Sequence, residues 1–580
     1  MGQSNTDDIP VDPPEPGLAF MCLLAFCAGI IGGVGAWFFR LLIGLVHNIL
    51  FLGVFSLQYD TNLHTPLSPW GWGVILVPVA GSVFVAWLVK NFAPEAKGHG
   101  VPEVMEAIHY RQGRIRPRVA VVKSLASAIS LGSGGAVGRE GPIVQIGAAF
   151  GSTLGQFIRM SARQRIVLIA AGASAGIAAT FNAPLGGVVF AVELLLLSIS
   201  AVSILLVAIA TVTATQIGRI LLGTTPSFHV PALELPNFHL TPSWELLLFM
   251  VLGALTGLIS IVFIRGIYWA EDRFDGLSDS YYVRHALGML GVGLLIAVLS
   301  RFSGHYYVQG VGYATIVDVL TGALTDPWFL LALTVLKLLA TCLSLGSGAS
   351  GGVFSPILFM GATTGAAFGQ VTALLFPDTG VDVATFAVVG MGAGIAGSTG
   401  AVLTGIVMIS EMTQDHSVVL PLVIAVATAY AVRRAVMRES IYTMKLVRRG
   451  LQVPEDLESA ISSARNIDEL MSREFVIVDA ASDTRQTADV LIIAEQDRVA
   501  GVYAFGHNGC SGDGKTGPSD RFVIMPAGST FLETARALKR ADADVVLVSG
   551  NPASRRAGDI LGVLTMRELL QHLKDVAELL

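Results

Sequence analysis

A glutamate, and the phenylalanine that stands in its place 214 positions later, carry the chemistry of this sequence. Residues 123–156 read KSLASAISLGSGGAVGREGPIVQIGAAFGSTLGQ, residues 337–370 read KLLATCLSLGSGASGGVFSPILFMGATTGAAFGQ, and the two align without a gap, so that Glu140 faces Phe354. Each copy ends a helix-forming run on Gly-Ser-Gly and resumes helix near Pro142 or Pro356; proline suits a first helical turn, where its missing N–H would have no partner. A helix start carries unpaired N–H groups and a partial positive charge. Several such starts converging in a membrane would replace an anion's hydration shell without a full cationic charge, which would hold the ion too tightly. Further starts are expected at Gly98-His99-Gly100-Val101-Pro102, at its repeat Gly310-Val311-Gly312-Tyr313, and before Tyr442. Close helix packing explains any one of these glycine segments, but not their recurrence at matched positions. An acid in an otherwise apolar repeat is costly unless helix starts stabilise its charge, which places Glu140 on the anion path; a structural ion pair with Arg139 is the plainer alternative.

Those helix starts need a membrane around them. The 580 residues are 53% hydrophobic and only 14% charged, with a mean hydropathy of +0.66, a composition of polytopic membrane proteins. Apolar runs at 72–90, 199–213, 246–264 and 418–432 are candidate spans. Others are shorter than the roughly 20 residues a full crossing needs and are interrupted by Gly, Ser and Pro. Irregular backbone at membrane depth survives only inside protein or beside water, so broken helices at matched positions of two repeats mark a transport site. The expected fold is an all-α polytopic membrane protein of two broken-helix repeats, about 18–225 and 240–445, between a disordered tail (1–17) and a small α/β tail (446–580).

The net charge of −6 says little, because the charges sit mainly in loops and in the tail. Basic clusters at Arg111–Arg118, Arg159–Arg165 and Arg433–Arg449 are expected on the cytoplasmic side, with both termini there. Cys22, Cys27, Cys342 and Cys510 lack metal-site spacing and imply no disulfide framework. The first 17 residues are acidic and Pro-rich, without the basic region of a signal peptide. Gly2 and Thr6 spell a myristoylation pattern, read here as coincidence.

From about 445 the pattern becomes that of a soluble α/β domain. Strands are expected at 475–478, 498–505, 521–525 and 544–550, and helices at TRQTADVLIIAEQ (484–496), FLETARALKRA (531–541) and MRELLQHLKDV (566–576). Two small modules in tandem follow. Gly509 to Thr516 spells a phosphate-loop pattern, but Gly517 and Pro518 prevent the helix that such a loop must open, so a flexible loop is expected. Gly172-Ala173-Ser174-Ala175-Gly176 spells a nucleophile elbow without the strand it requires, and reads as a helix-packing segment.

GSGGAVGREGP (132–142), GHGVPE (98–103) and GGVFSP (351–356) closely resemble the three signature segments of the CLC family of chloride channels and proton-coupled chloride antiporters. The resemblance spans about 20–450, and the tail more weakly resembles the paired CBS modules of many members. It implies a homodimer with one anion pathway per subunit and inverted repeats, in the plasma or inner membrane of a prokaryote. It implies that Glu140 is the gate, whose ionised carboxylate competes with chloride in the path. It also places His99, Gly100, Arg139 and Gly141 along that path, with Val353 and Phe354 as backbone donors and Tyr442 as a phenol donor. In the tail it puts a ribose-binding pair, for an adenosine nucleotide, on Thr565 and Glu568, with glutamate at the position that is more often aspartate.

The sequence departs from the family pattern twice. His99 stands where the first motif usually has serine; a neutral imidazole can donate in its place, and a protonated one would add pH dependence. Glu193 occupies the family's shared acidic position, a candidate for the proton pathway with Glu140, but the next position, an internal proton-transfer glutamate in typical antiporters, is Leu194. Leucine cannot relay a proton. The expectation is therefore a chloride channel with glutamate gating, voltage- or pH-dependent, with a chloride/proton antiporter as the alternative and a non-transporting membrane sensor as a remote one. The unaltered GREGP favours chloride over fluoride. Beyond the transported ion, and a nucleotide in the tail, no cofactor, metal, nucleic acid or enzymatic activity is expected.

Overall fold

In the computed structural model the chain forms two compact units, Met1–Arg449 and Gly450–Leu580. The structure describes residues 16–451 except 159, 197–198, 224–227, 229–244, 378–381 and 416–417, and the tail from 467 to 571 except 474, 480–489, 496, 505–520, 527, 530, 542, 552–555 and 570. Gly2, Thr6 and the phosphate-loop pattern at 509–516 lie outside the described residues.

The first unit is helical and written twice. Helices α1 (Leu18–His47), α2 (Leu76–Phe92), α3 (Val101–Tyr110), α4 (Arg118–Gly132), α5 (Glu140–Phe157), α6 (Ala162–Phe181), α7 (Pro184–Leu194) and α8 (Ala201–Leu222) form one repeat. Helices α9 (Glu245–Leu277), α10 (Tyr281–Ser303), α11 (Tyr313–Leu320), α12 (Pro327–Ser347), α13 (Phe354–Leu375), α14 (Val383–Thr399), α15 (Val402–Thr413) and α16 (Val419–Val436) follow in the same order, and α17 (Ile441–Arg448) closes the unit. Among the described residues, nine helical stretches are long and apolar enough to cross a membrane, while α7, α14 and α15 are apolar but shorter. Large apolar side chains such as Phe38, Trp87, Val262 and Leu294 face outward, a surface suited to lipid rather than water.

Glycine governs the tightest helix pair in each repeat. A Cβ on Gly147 of α5 would stand 2.1 Å from the carbonyl oxygen of Gly172 in α6, and one on Gly361 of α13 would stand 2.3 Å from that of Gly390 in α14. Gly172 thus lies in the middle of a buried helix as a packing residue. The repeats meet around a local two-fold axis. Gly138 and Gly352, equivalent in the two copies, form an antiparallel bridge and exchange N–H···O bonds of 2.7 and 2.7 Å. A residue paired antiparallel with its own image requires a rotation of about 180° between the copies. The same symmetry returns in two hydroxyl contacts: Ala136 N–H donates to Ser344 Oγ at 3.2 Å and Ser350 N–H donates to Ser130 Oγ at 3.2 Å.

Among the described residues the tail holds two sheets of three strands. Strand β1 (Val476–Asp479) pairs parallel with β2 (Val490–Glu495), which pairs antiparallel with β3 (Arg498–Ala504). Strand β4 (Phe522–Pro526), helix α18 (Phe531–Ala541), β5 (Val545–Ser549) and β6 (Ile560–Thr565) repeat that plan, again parallel and then antiparallel. Val490, Ile492 and Val502 of the first sheet share a core with Leu547 and Val563 of the second. One expected element is corrected: the end of TRQTADVLIIAEQ is strand β2, not helix. Its VLII run is short and β-rich, and periodicity alone does not separate a buried strand from a helical segment of that length.

Candidate anion site

Three helix starts meet where the repeats join. The loop before α3 bridges to the loop before α13: Gly98 N–H donates to Ala349 O at 3.1 Å and Gly351 N–H donates to Gly98 O at 3.2 Å. With the Gly138–Gly352 pair, these bonds satisfy irregular backbone that lipid could not. The approach is at the limit for main chains. A Cβ on Gly141, in the first turn of α5, would stand 2.0 Å from His99 O, and one on Gly100, the φ +91° residue that opens α3, would stand 2.6 Å from Gly141 O. Only glycine fits these two positions.

Two buried lysines hold the Gly-X-Gly loops. Lys123 Nζ donates to Ala96 O at 3.0 Å and Gly98 O at 2.8 Å. Lys337, its image in α12, donates to Val308 O at 3.0 Å and Gly310 O at 2.7 Å. Each ammonium therefore orders the turn that launches a short helix, α3 or α11.

Glu140 is the first residue of α5 and is 1% exposed. The Tyr313 hydroxyl donates to Glu140 Oε1 at 2.5 Å. The Ser355 hydroxyl lies 2.7 Å from Oε1 and 2.6 Å from Oε2, and the Ser355 main-chain N–H donates to Oε2 at 3.3 Å. Arg139 stands farther off, its Nε 3.9 Å from Oε1, with its guanidinium 5.2 Å from the Tyr313 ring centre. The carboxylate is thus held mainly by neutral donors at the starts of α11 and α13. Sequence reading missed both hydroxyls, although Ser355 is the image of Gly141 and Tyr313 opens α11 directly after the recognised Gly310-Val311-Gly312.

The other candidates lie around this point. His99 is 5% exposed, and its Nδ1 has no hydrogen-bond partner among the described residues. Val353 is the residue that opens α13, and Phe354 is buried against Phe181 with ring centres 5.5 Å apart. Tyr442 is buried in the first turn of α17, whose start is closed by Ser440 and Thr443: Ser440 N–H donates to Thr443 Oγ1 at 2.8 Å and Thr443 N–H donates to Ser440 Oγ at 3.3 Å. Arg449 ties α17 to α3 through Glu103 at 2.8 Å and Glu106 at 2.7 Å. Glu103 turns its other oxygen to the Gly100 N–H at 3.1 Å. Beside these ion pairs a cleft of about 320 Å³ is lined by Arg111, Arg114, Arg116 and Arg449. In it, burial opposes the charge of Glu95, yet the guanidinium of Arg116 leaves that carboxyl below its usual range. On another face, recesses lined by Tyr59, Thr61 and Val311 reach Arg139 and Tyr313.

Glu193 is in a different place. Its carboxylate accepts from Leu403 N–H at 2.7 Å, Thr404 N–H at 2.7 Å and Thr404 Oγ1 at 2.6 Å. Glu411 of α15 returns the contact, accepting from Leu185 and Gly186 N–H at 3.1 and 2.6 Å. Each acid caps the other's helix, a reciprocal lock of α7 and α15. Both oxygens of Glu193, the acid expected on the proton pathway, are thus engaged at the start of α15, away from the Glu140 carboxylate. In the tail, Thr565 N–H and Oγ1 both donate to Glu568 Oε2 at 2.8 Å. That closed cap accounts for the T-x-x-E spacing without a ligand. Among the described residues no His, Cys, Asp and Glu group has metal-site geometry.

Comparison with known proteins agrees with this architecture. Residues 81–434 match the family model described as voltage-gated chloride channel. A putative chloride channel protein ClcB-like from Ralstonia nicotianae is 35% identical over 387 residues, covering 66% of this chain and 86% of that protein. The H(+)/Cl(-) exchange transporter ClcA of Vibrio parahaemolyticus is 33% identical over 443 residues, covering 73% and 89%. The crystal structure of a slow cyanobacterial Cl-/H+ antiporter superposes with a TM-score of 0.64 at 28% identity, covering 74% of this chain and 97% of that one. A eukaryotic CLC transporter, 19% identical, shares the fold with a TM-score of 0.62 over 95% and 98% of the two chains. With its duplicated helix starts and the family model covering most of its helical unit, this multi-pass membrane protein belongs to the CLC family of chloride-transporting proteins.

Proposed function

We propose that this protein exchanges chloride for protons across a membrane, with Glu140 as the group on which the two ions compete. The observation that carries the reading is the Glu140 carboxylate itself, buried where the starts of α5 and α13 meet and held mainly by neutral donors. Ionised, it presents a negative charge where an anion would bind; protonated, it loses that attraction and yields the place. One carboxyl group that must leave for chloride to enter, and takes a proton when it leaves, couples the two ions in alternation. His99, Gly100, Arg139, Gly141, Val353, Phe354 and Tyr442 would line the anion path around it.

The channel reading drawn from Leu194 takes second place. Relatives are named H(+)/Cl(-) exchange transporters and a solved neighbour is a Cl-/H+ antiporter, which supports exchange. Because Leu194 carries no proton, the inner half of the proton route runs through water or another acid. Purified protein in liposomes tests the proposal: an imposed chloride gradient drives protons uphill at a fixed ratio if it exchanges, chloride moves without protons if it is a voltage- or pH-gated channel, and neither moves if it is a sensor. We assign the working form as a homodimer in a prokaryotic plasma or inner membrane, with the basic clusters and both termini in the cytoplasm. The tail acts as a regulatory CBS-like pair, and an adenosine nucleotide enters it only by opening the Thr565–Glu568 cap. A tail melting temperature unchanged by millimolar AMP or ATP removes the nucleotide.

A further inference from the structure

We propose that Tyr313 and Ser355 form a two-hydroxyl latch that holds the ionised Glu140 carboxylate in the anion path and thereby sets the pH at which the path opens. The inference rests on the reading of Glu140 as the gate and adds two positioning residues to it. The Tyr313 hydroxyl stands 2.5 Å from Oε1, and the Ser355 hydroxyl 2.7 and 2.6 Å from Oε1 and Oε2. These are separations of short, charge-assisted O–H···O bonds, the stronger class of hydrogen bond. The two hydroxyls are 3.1 Å from each other, so they converge on one carboxylate from two elements, α11 and the start of α13.

The geometry discriminates between charge states. Two O–H donors aimed at Oε1 suit a bare oxygen. A proton added there would face a donor, so one hydroxyl must turn away and the neutral acid is held less tightly. The latch therefore favours the closed, ionised state and weakens when a proton arrives. Neither hydroxyl is needed for packing. The Tyr313 ring is wedged between Phe228, with ring centres 5.0 Å apart, and the Arg139 guanidinium, contacts a phenylalanine would keep. Alanine at 355 would keep the main-chain N–H donor.

Other charged or titratable groups face the carboxylate as well: Arg139 beside it, Lys337 of α12 and the Tyr442 phenol of α17 within electrostatic range, and Arg40 and Tyr59 behind Arg139. The two substitutions below leave all of these in place.

The test is chloride flux against pH in liposomes for the parent, Tyr313→Phe, Ser355→Ala, and each of these combined with Glu140→Gln. Removing one donor from the ionised form is expected to raise the midpoint for opening by about one pH unit, a tenfold change in proton affinity. With Glu140→Gln present, the same substitutions are expected to change nothing further. If Glu140→Gln abolishes the pH dependence while Tyr313→Phe and Ser355→Ala keep the parent midpoint, the latch is wrong and the gate stands. If Glu140→Gln retains the full parent profile, the gate reading fails and the latch with it. A structural effect alone would change flux equally in both backgrounds, which also overturns the latch. Should Tyr313→Phe not yield folded protein, Ser355→Ala decides alone.

Discussion

The two copies of the duplicated segment reach the same place with different residues. Copy one begins its helix Glu140-Gly141, and copy two begins its helix Phe354-Ser355. The difference is complementary. Glu140 supplies a charge and Ser355, from the other copy, supplies the hydroxyl that holds it. Gly141 has no side chain because His99 O already occupies the space a Cβ would need, whereas at the matching position a serine is accommodated. Duplication thus provided two equivalent helix starts, and divergence of two adjacent residues gave one the buried acid and the other a hydroxyl that holds it. By contrast, the lysine pair and the Ser130/Ser344 pair stayed the same in both copies, because each copy has the same backbone to satisfy.

The most damaging challenge to that division of labour is at the acid. Glu140→Gln is expected to abolish proton coupling, so that a chloride gradient no longer drives protons in liposomes, while Phe354→Leu keeps a coupled, slower exchange. Coupling retained in Glu140→Gln would break the comparison outright. Making copy one resemble copy two comes next: Gly141→Ser forces a Cβ against the His99 carbonyl and should destabilise the fold by about 3 kcal/mol, read as a lower melting temperature in detergent. The reverse change, Ser355→Gly, should melt close to the parent and raise the pH midpoint as Ser355→Ala does. The conserved pair predicts symmetry. Lys123→Met and Lys337→Met each leave two buried carbonyls without their donor, and each should cost about 2 kcal/mol of stability, with similar melting shifts. Unequal shifts would show that the loops before α3 and α11 are not equivalent. The smallest effect is expected at His99, where serine replaces one neutral donor with another: the shape of the flux profile between about pH 5 and 8 should be that of the parent, and a flattened profile would make the ring a pH sensor.

Much of the frame was legible because it repeats. The ungapped offset announced two halves, the Gly-Ser-Gly to proline spacing announced buried helix starts, and the odd Glu140 announced a charge. The strand at Val490–Glu495 was not legible, since a short buried apolar run has no period that separates strand from helix and only its pairing with β1 and β3 decides. The partners of Glu193 were not legible for a related reason. Its acid is visible in the sequence, but whether a carboxylate is free or spent on capping depends on a helix start more than 200 residues away.

The sequence by itself determined the duplicated architecture, the membrane setting and the glycines at which main chains touch, because periodicity, hydropathy and the lack of a side chain are local properties. Tertiary structure alone decided what holds Glu140. Tyr313 lies 173 residues from it and Ser355 lies 215, and no local pattern records that a phenol and a serine meet one carboxylate. That meeting exists only once the two-fold around Gly138 and Gly352 has brought the helix starts together, leaving a buried charge that must find its donors there.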